Sequence, residues 1–263
     1  MNIVVDGDNA FVATGGCTFD PKKSTVVFVH GSGLDHRSWA LQARWFAFHG
    51  FSVFAPDLPG HSLSEGEPIK SIEGMGKWLV KALKVSGCES IDLVGHSQGF
   101  LVALEAAGSL GAKLKTLTAV ASATSIPVNE ALVEAAKKAP SDAADMLLKW
   151  GFGSQSQSGG SAVPGMQPIG IGRQIMSNNP LAEDLIACTN YQNGINCAKN
   201  IKIPSNVILA TEDKNTPYRF GLELADLLNA ETTTVSKAGH MLPMESPKNT
   251  LDAIKSFILK NSE

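Results

Sequence analysis

The chain has little cysteine, and what it has is not arranged for metal or redox work. Cys17, Cys88, Cys188 and Cys197 form no C-x-x-C pair, and none stands near a second residue at metal-ligand spacing. No bound metal is expected, and the thiols are expected to be reduced, as in a cytoplasmic protein. Cys188 and Cys197 lie close enough in sequence for a disulfide, although nothing requires one. No basic stripe is present and the net charge is -3, so nucleic acid is not an expected partner. No apolar run approaches membrane-spanning length, so no membrane partner is expected. The residues Met1-Asn2-Ile3-Val4-Val5-Asp6 carry neither a basic segment nor a long apolar stretch, so no secretory signal is expected. There is no internal repeat, and no motif calls for a metal, nucleotide or flavin cofactor. A small molecule is the expected partner, and a homodimer is compatible with the chain.

What is present is an alternation of strand and helix patterns. Residues 3–5 and 11–13 flank Asp6-Gly7-Asp8 and read as an opening hairpin. Thr25-Val26-Val27-Phe28-Val29 is a continuous apolar run rich in β-branched residues, which suits a strand buried on both faces. Residues 51–55, 91–94, 117–120 and 206–210 look alike, and 231–236 reads as a last strand. Helical patterns fall near 37–49, 71–86 and 98–109. A helix is expected over 217–229 with Pro217 in its first turn, and another opening with Ser246 as N-cap and Pro247 as first residue. This order predicts an α/β fold: a doubly wound, mostly parallel eight-stranded sheet with helices on both faces.

Residues 125–199 break the rhythm. Helical pieces fall near 129–138, 141–150 and 181–191, and a Gly, Ser, Gln and Pro-rich stretch occupies 151–172. Such a composition shift within a compact domain reads as a lid or a loose loop. The expected organisation is a core of 1–124 and 200–263, with 125–199 inserted as a helical cap over the substrate.

The most informative feature is Gly95-His96-Ser97-Gln98-Gly99, between a strand pattern and a buried helix pattern. A serine on such a turn has a strained backbone and needs small neighbours, which Gly95 and Gly99 supply. The turn exposes the Ser97 hydroxyl at a strand's carboxyl end and a helix N-terminus, where a nucleophile is wanted. The nucleophile needs a base, and the base an orienting acid. His240 follows the last strand, so its loop opens at the same sheet edge as Ser97. Asp213 follows the strand before last and is the candidate acid, with Glu212 pointing the other way. Asp57 reads as a cap of its own turn, and Asp92 as a structural strand residue. His49 reads as a solvated helix end, His96 as structural, and His36 and His61 as polar loop residues. Two N–H groups should hold the tetrahedral oxyanion. Gln98 offers one. Ser32, in His30-Gly31-Ser32-Gly33, offers the other, with Gly33 as second choice.

These motifs, with Pro56-Asp57-Leu58-Pro59-Gly60-His61-Ser62-Leu63-Ser64 and the chain order Ser97, Asp213, His240, resemble the α/β-hydrolase fold family over nearly the whole length. The resemblance implies a carboxylesterase-like serine hydrolase with a cap between the sixth and seventh strands. Gln98 stands where this group often has Met, Phe100 where it often has a small residue, and Ser62 where it often has Gly.

The expected activity is hydrolysis of small carboxylic esters through an acyl-enzyme. A carbon–carbon bond hydrolase of ring-cleavage products is the main rival, since His30-Gly31-Ser32-Gly33 resembles the loop of that group. Lactones and thioesters stay open. A small-molecule receptor that binds without useful turnover is the non-enzyme alternative. Candidate pocket residues are Gly31, Met146, Trp150 and Met241. Leu147, Phe152, Met166, Ile169 and Met176 are further candidate walls.

Overall fold

The computed structural model describes residues 1–262. Eight strands form one sheet: β1 (Asn2–Val5), β2 (Asp8–Ala13), β3 (Thr25–Val29), β4 (Ser52–Pro56), β5 (Ile91–His96), β6 (Leu114–Val120), β7 (Ser205–Ala210) and β8 (Glu231–Val235). Their order is β1-β2-β4-β3-β5-β6-β7-β8. β1 and β2 are the hairpin, turning where Asp6 and Gly7 adopt positive φ. β2 joins β4 antiparallel, and every later pairing is parallel. Every residue of β3, β4, β5 and β7 is buried, as expected for strands covered on both faces.

The helices are α1 (Ala40–Phe48), α2 (Ile72–Val85), α3 (Gln98–Leu110), α4 (Glu130–Lys138), α5 (Pro140–Gly151), α6 (Ser154–Gln157), α7 (Pro168–Met176), α8 (Leu181–Asn190), α9 (Gly194–Asn200), α10 (Tyr218–Leu228), α11 (Leu242–Glu245) and α12 (Pro247–Lys260). Successive side chains of a strand face opposite ways, and this splits the core in two. Val27, Val29 and Leu93 pack with α2, α3 and α10, whereas Val26, Phe28 and Val94 pack with α1 and α12. A third apolar cluster joins α4, α5, α7 and α8 to Leu34 and Met241 of the sheet's loops and to Met244 of α11. No helix among the described residues is long and apolar enough to cross a membrane.

Several expectations change on inspection. The helix near 37–49 opens with a 3₁₀ turn over His36–Trp39, because the Asp35 side chain caps the Arg37 N–H. Pro217 stands just before α10 rather than in its first turn. Ser246 does not cap α12 with its hydroxyl, which instead accepts from Asn249 Nδ2. The unforeseen turn α11 runs directly into α12 there, leaving no room for an extended cap residue. Cys188 and Cys197 are unpaired thiols, as are Cys17 and Cys88. The 151–172 stretch is not one loose loop. It contains α6 and the start of α7, and Phe152 and Ser156 are buried. The Gly153 N–H donates to Glu245 Oε1 at 2.8 Å, and the Ser154 N–H to Glu212 Oε2 at 2.6 Å. Polar anchors outside the segment supply the order that its composition lacks.

The serine turn depends on two glycines. A Cβ on Gly95 would lie 2.4 Å from Phe100 Cα, and one on Gly99 2.3 Å from the Val29 carbonyl oxygen. Both obstacles are backbone and cannot rotate away. Gly99→Ala should therefore lower unfolding free energy by about 2 kcal/mol through overpacking. Urea titration followed by circular dichroism measures this, and an unchanged midpoint would refute it.

Candidate active site

Parallel strands bring their carboxyl-end loops to one edge of the sheet. Ser97 follows β5, Asp213 follows β7 and His240 follows β8. Ser97 has φ 53° and ψ -124°, a strained conformation for a residue with a side chain. Its N–H donates to the Val120 carbonyl at 3.0 Å, and its carbonyl accepts from Ser122 Oγ at 2.8 Å and from the Phe100 N–H at 3.0 Å. The surrounding chain thus over-determines the strained turn.

His240 and Asp213 form a buried pair. His240 Nδ1 lies 2.9 Å from Asp213 Oδ2 and 3.1 Å from Oδ1. The Asn215 and Thr216 N–H groups donate to Asp213 Oδ1, and Thr216 Oγ1 donates to Oδ2 at 2.7 Å. Burial would raise the Asp213 carboxyl, but its pairing with His240 and these hydrogen bonds hold it below its ordinary value. The carboxylate accepts only, so it selects the His240 tautomer with a proton on Nδ1 and leaves Nε2 free to take one.

His96 supports this arrangement. Its Nε2 donates to the His240 carbonyl at 2.8 Å, and the two rings lie 5.0 Å apart. Burial and the neighbouring His240 push His96 down to about 3, so it is neutral. Gly31 is needed beside it, since a Cβ there would sit 2.9 Å from His96 Nδ1.

Of the two candidates on the loop after β3, the Gly33 N–H is already committed, donating to Asp184 Oδ2 at 2.7 Å. No protein acceptor holds the Ser32 N–H among the described residues. Gln98 opens α3, where backbone N–H groups lack helical partners. The Gln98 side chain does not enter the cavity. It is buried, with Nε2 donating to the Asp184 carbonyl at 3.3 Å.

Ser97, His96, His240 and Ser32 share a cavity of about 210 Å³. Its other walls are mostly apolar, including Ile126, Leu132, Leu147, Trp150, Leu185 and Met241. Trp150, Leu147 and Met241 are thus among the cavity walls. Met146 is not, and is exposed on α5. Gly31 lies behind the wall, against His96 and the Ser97 Cβ. Phe152 and Met176 are buried in the third cluster, Ile169 packs on its edge, and Met166 is not a wall. Lys214, Asn215, Asn129 and Cys188 were not foreseen as walls. Lys214 and Asn215 could have been found, because they directly follow Asp213. Burial pushes the Cys188 thiol up to about 12, which keeps it from acting as a thiolate.

The remaining polar residues are tied elsewhere. Asp57 does more than cap its turn, accepting from the His36 N–H and Nδ1 and from the Leu63 N–H. Asp92 accepts from Ser24 and Thr116. His49 stacks on Trp45. His61 Nε2 faces Asp184 Oδ2 at 3.0 Å, and its Nδ1 faces the Pro59 carbonyl at 3.1 Å. Neither partner can donate, so His61 carries both protons and is a cation. Its pKa lies above the ordinary value: burial opposes the charge, but Asp184 outweighs it. Among the described residues Asp35, His36 and Asp57 are the set with metal-ligand proximity, but the carboxylate oxygens are already engaged by Arg37, Asn179, His36 and Leu63.

A family model described as the alpha/beta hydrolase family matches residues 26–253. No curated protein sequence matches the chain. Among solved structures, the fold is similar to that of an enol-lactonase from Burkholderia xenovorans LB400, with TM-score 0.87, 19% identity, and coverage of 98% of this chain and 100% of that one. A thermophilic esterase from Thermogutta terrifontis gives TM-score 0.85 at 20% identity, with 100% of each chain covered. Est816, described as an N-acyl homoserine lactone degrading enzyme, gives 0.83 at 19% identity, covering 98% of this chain and 100% of that one.

Proposed function

Since this chain belongs to the alpha/beta hydrolase family, we propose that it is a serine hydrolase that cleaves small carboxylic esters through an acyl-enzyme on Ser97. The observation that carries this reading is the strained Ser97 turn opening into the cavity that His240 also lines, with His240 oriented by Asp213. Ser97 Oγ attacks the acyl carbon while His240 Nε2 takes its proton. The Ser32 and Gln98 N–H groups hold the oxyanion, and loss of one such donor costs about 3 kcal/mol of transition-state stabilisation. Collapse expels the alcohol, which receives the proton from His240. Water then attacks the acyl-enzyme by the same route, and the carboxylic acid leaves.

The small, largely apolar cavity suits a compact acyl group, with Asn129, Lys214 and Asn215 as polar residues beyond the reacting groups. The insertion 125–199 acts as a cap that sets substrate choice, because Leu132, Leu147, Trp150 and Leu185 come from it. A lactone is the second reading, favoured by the enol-lactonase and the homoserine lactone enzyme among the structural neighbours. It uses the same chemistry with the leaving alcohol tethered.

Treatment with a fluorophosphonate should give one adduct, on the peptide carrying Ser97, and abolish turnover of p-nitrophenyl acetate. An adduct elsewhere, or an unlabelled protein that still hydrolyses esters, would overturn the assignment. Stoichiometric labelling without steady-state turnover of esters or lactones would favour the receptor reading.

A further inference from the structure

One residue of the inserted helices braces both chain segments that would hold the oxyanion. Asp184 lies on α8, while Ser32 follows β3 and Gln98 opens α3. The Gly33 N–H donates to Asp184 Oδ2 at 2.7 Å, which fixes the residue next to Ser32. Gln98 Nε2 donates to the Asp184 main-chain carbonyl at 3.3 Å, which fixes the residue that carries the other N–H. One turn along α8, Cys188 Sγ lies 3.6 Å from Ser32 Oγ. Just before α8, Asn179 Nδ2 donates to the Gly33 and Leu34 carbonyls at 3.1 Å each. Both polar backbone atoms of Gly33 are therefore held from the insertion, while the Ser32 N–H has no protein acceptor among the described residues.

The chemistry chosen for this brace is costly. Asp184 is fully buried, and its charge is balanced by the His61 cation. An apolar residue would fasten α8 at least as well, since buried ion pairs often add no stability over apolar packing. A carboxylate does what an apolar side chain cannot: it accepts a backbone N–H in a fixed direction. Oxyanion donors act only if they already point at the place where charge develops. We infer that Asp184 is a positioning residue, which aims the Ser32 and Gln98 N–H groups through its carboxylate and its carbonyl. This rests on the acyl-enzyme reading above.

The test counts competent sites first, by the burst of p-nitrophenol from p-nitrophenyl acetate. It then measures kcat per titrated site, KM, and the Ki of phenylboronic acid, which adds to a serine hydroxyl as a tetrahedral anion. A wild-type protein that shows neither ester turnover nor boronate inhibition removes the acyl-enzyme reading itself. With those present, Asp184→Ala should lower kcat per site about 30-fold with KM within about threefold, because misaimed donors weaken the transition state and not the ground state. The boronate Ki should rise in parallel. A residue that only held the fold would lower the number of titratable sites and leave kcat per site and Ki alone. That result in folded Asp184→Ala overturns the proposal. Should this variant not fold, Gln98→Leu removes the carbonyl contact and leaves the ion pair intact. It should cost about fivefold in kcat per site and raise the boronate Ki, and an unchanged Ki there overturns the proposal.

Discussion

Asp213→Asn should lower kcat by about 10⁴-fold while the protein stays folded. The reason lies in what each carboxylate oxygen does. Oδ1 accepts the Asn215 and Thr216 N–H groups, and Oδ2 accepts the Thr216 hydroxyl and faces His240 Nδ1. An amide group must put its NH₂ on one side or the other. Facing the loop, it would set donor against two backbone donors. Facing His240, it donates to Nδ1 and forces the ring proton onto Nε2, where the base is needed. The second placement keeps both backbone donors bonded, and the Thr216 hydroxyl can turn to accept instead of donate, so it is the expected one. His240 is then well placed and in the wrong tautomer. The check is kcat for p-nitrophenyl acetate together with a thermal melt. Activity within tenfold of wild type, at a wild-type melting temperature, would mean that Asp213 does not orient the base.

The fold was legible because its strands are buried on both faces, which writes long β-branched runs such as Thr25–Val29 and Ser205–Ala210. The serine turn was legible because Gly95 and Gly99 meet backbone where any side chain would collide. The places of Ser97, Asp213 and His240 followed from the rule that parallel strands present their carboxyl ends at one edge. Long-range polar partners were not legible. Asp184 bonds to Gly33 across 151 positions and Glu245 to Gly153 across 92, and no local pattern marks either carboxylate. The same blindness made 151–172 look unstructured, since its composition reports its few apolar residues and not the carboxylates that hold it. The anchoring of the Gln98 side chain was not legible for a related reason. Its partner is a carbonyl on α8, visible only once the insertion is folded over α3.

Glu245→Ala should cost about 3 kcal/mol of stability and loosen residues 151–157 and the His240 loop together. Glu245 stands on α11, with Oε1 accepting the Gly153 N–H at 2.8 Å and Ser156 Oγ at 3.0 Å. Its Oε2 accepts the Gly239 N–H at 2.8 Å, next to His240. One side chain thus ties the start of α6 to the residue before the candidate base. The fit is close, because a Cβ on Gly239 would lie 2.4 Å from the Gly151 carbonyl oxygen. Burial pushes the Glu245 carboxyl up, and the three donors pull it back only in part. Truncation leaves those donors without an acceptor in a place that solvent reaches poorly, at about 1–3 kcal/mol for each that stays unpaired. Only part of that total is expected, since the space vacated admits water. Glu245→Gln should recover less than half, because its amide can replace one oxygen and then opposes the donor at the other. Urea unfolding measures the stability, and limited proteolysis locates the loosening. Wild-type protein should be cut first within 158–167, between α6 and α7. The Ala variant should open an added site within 151–157. Unchanged stability, or a cut pattern identical to wild type, would show that this carboxylate does not fasten the start of α6 to the His240 loop.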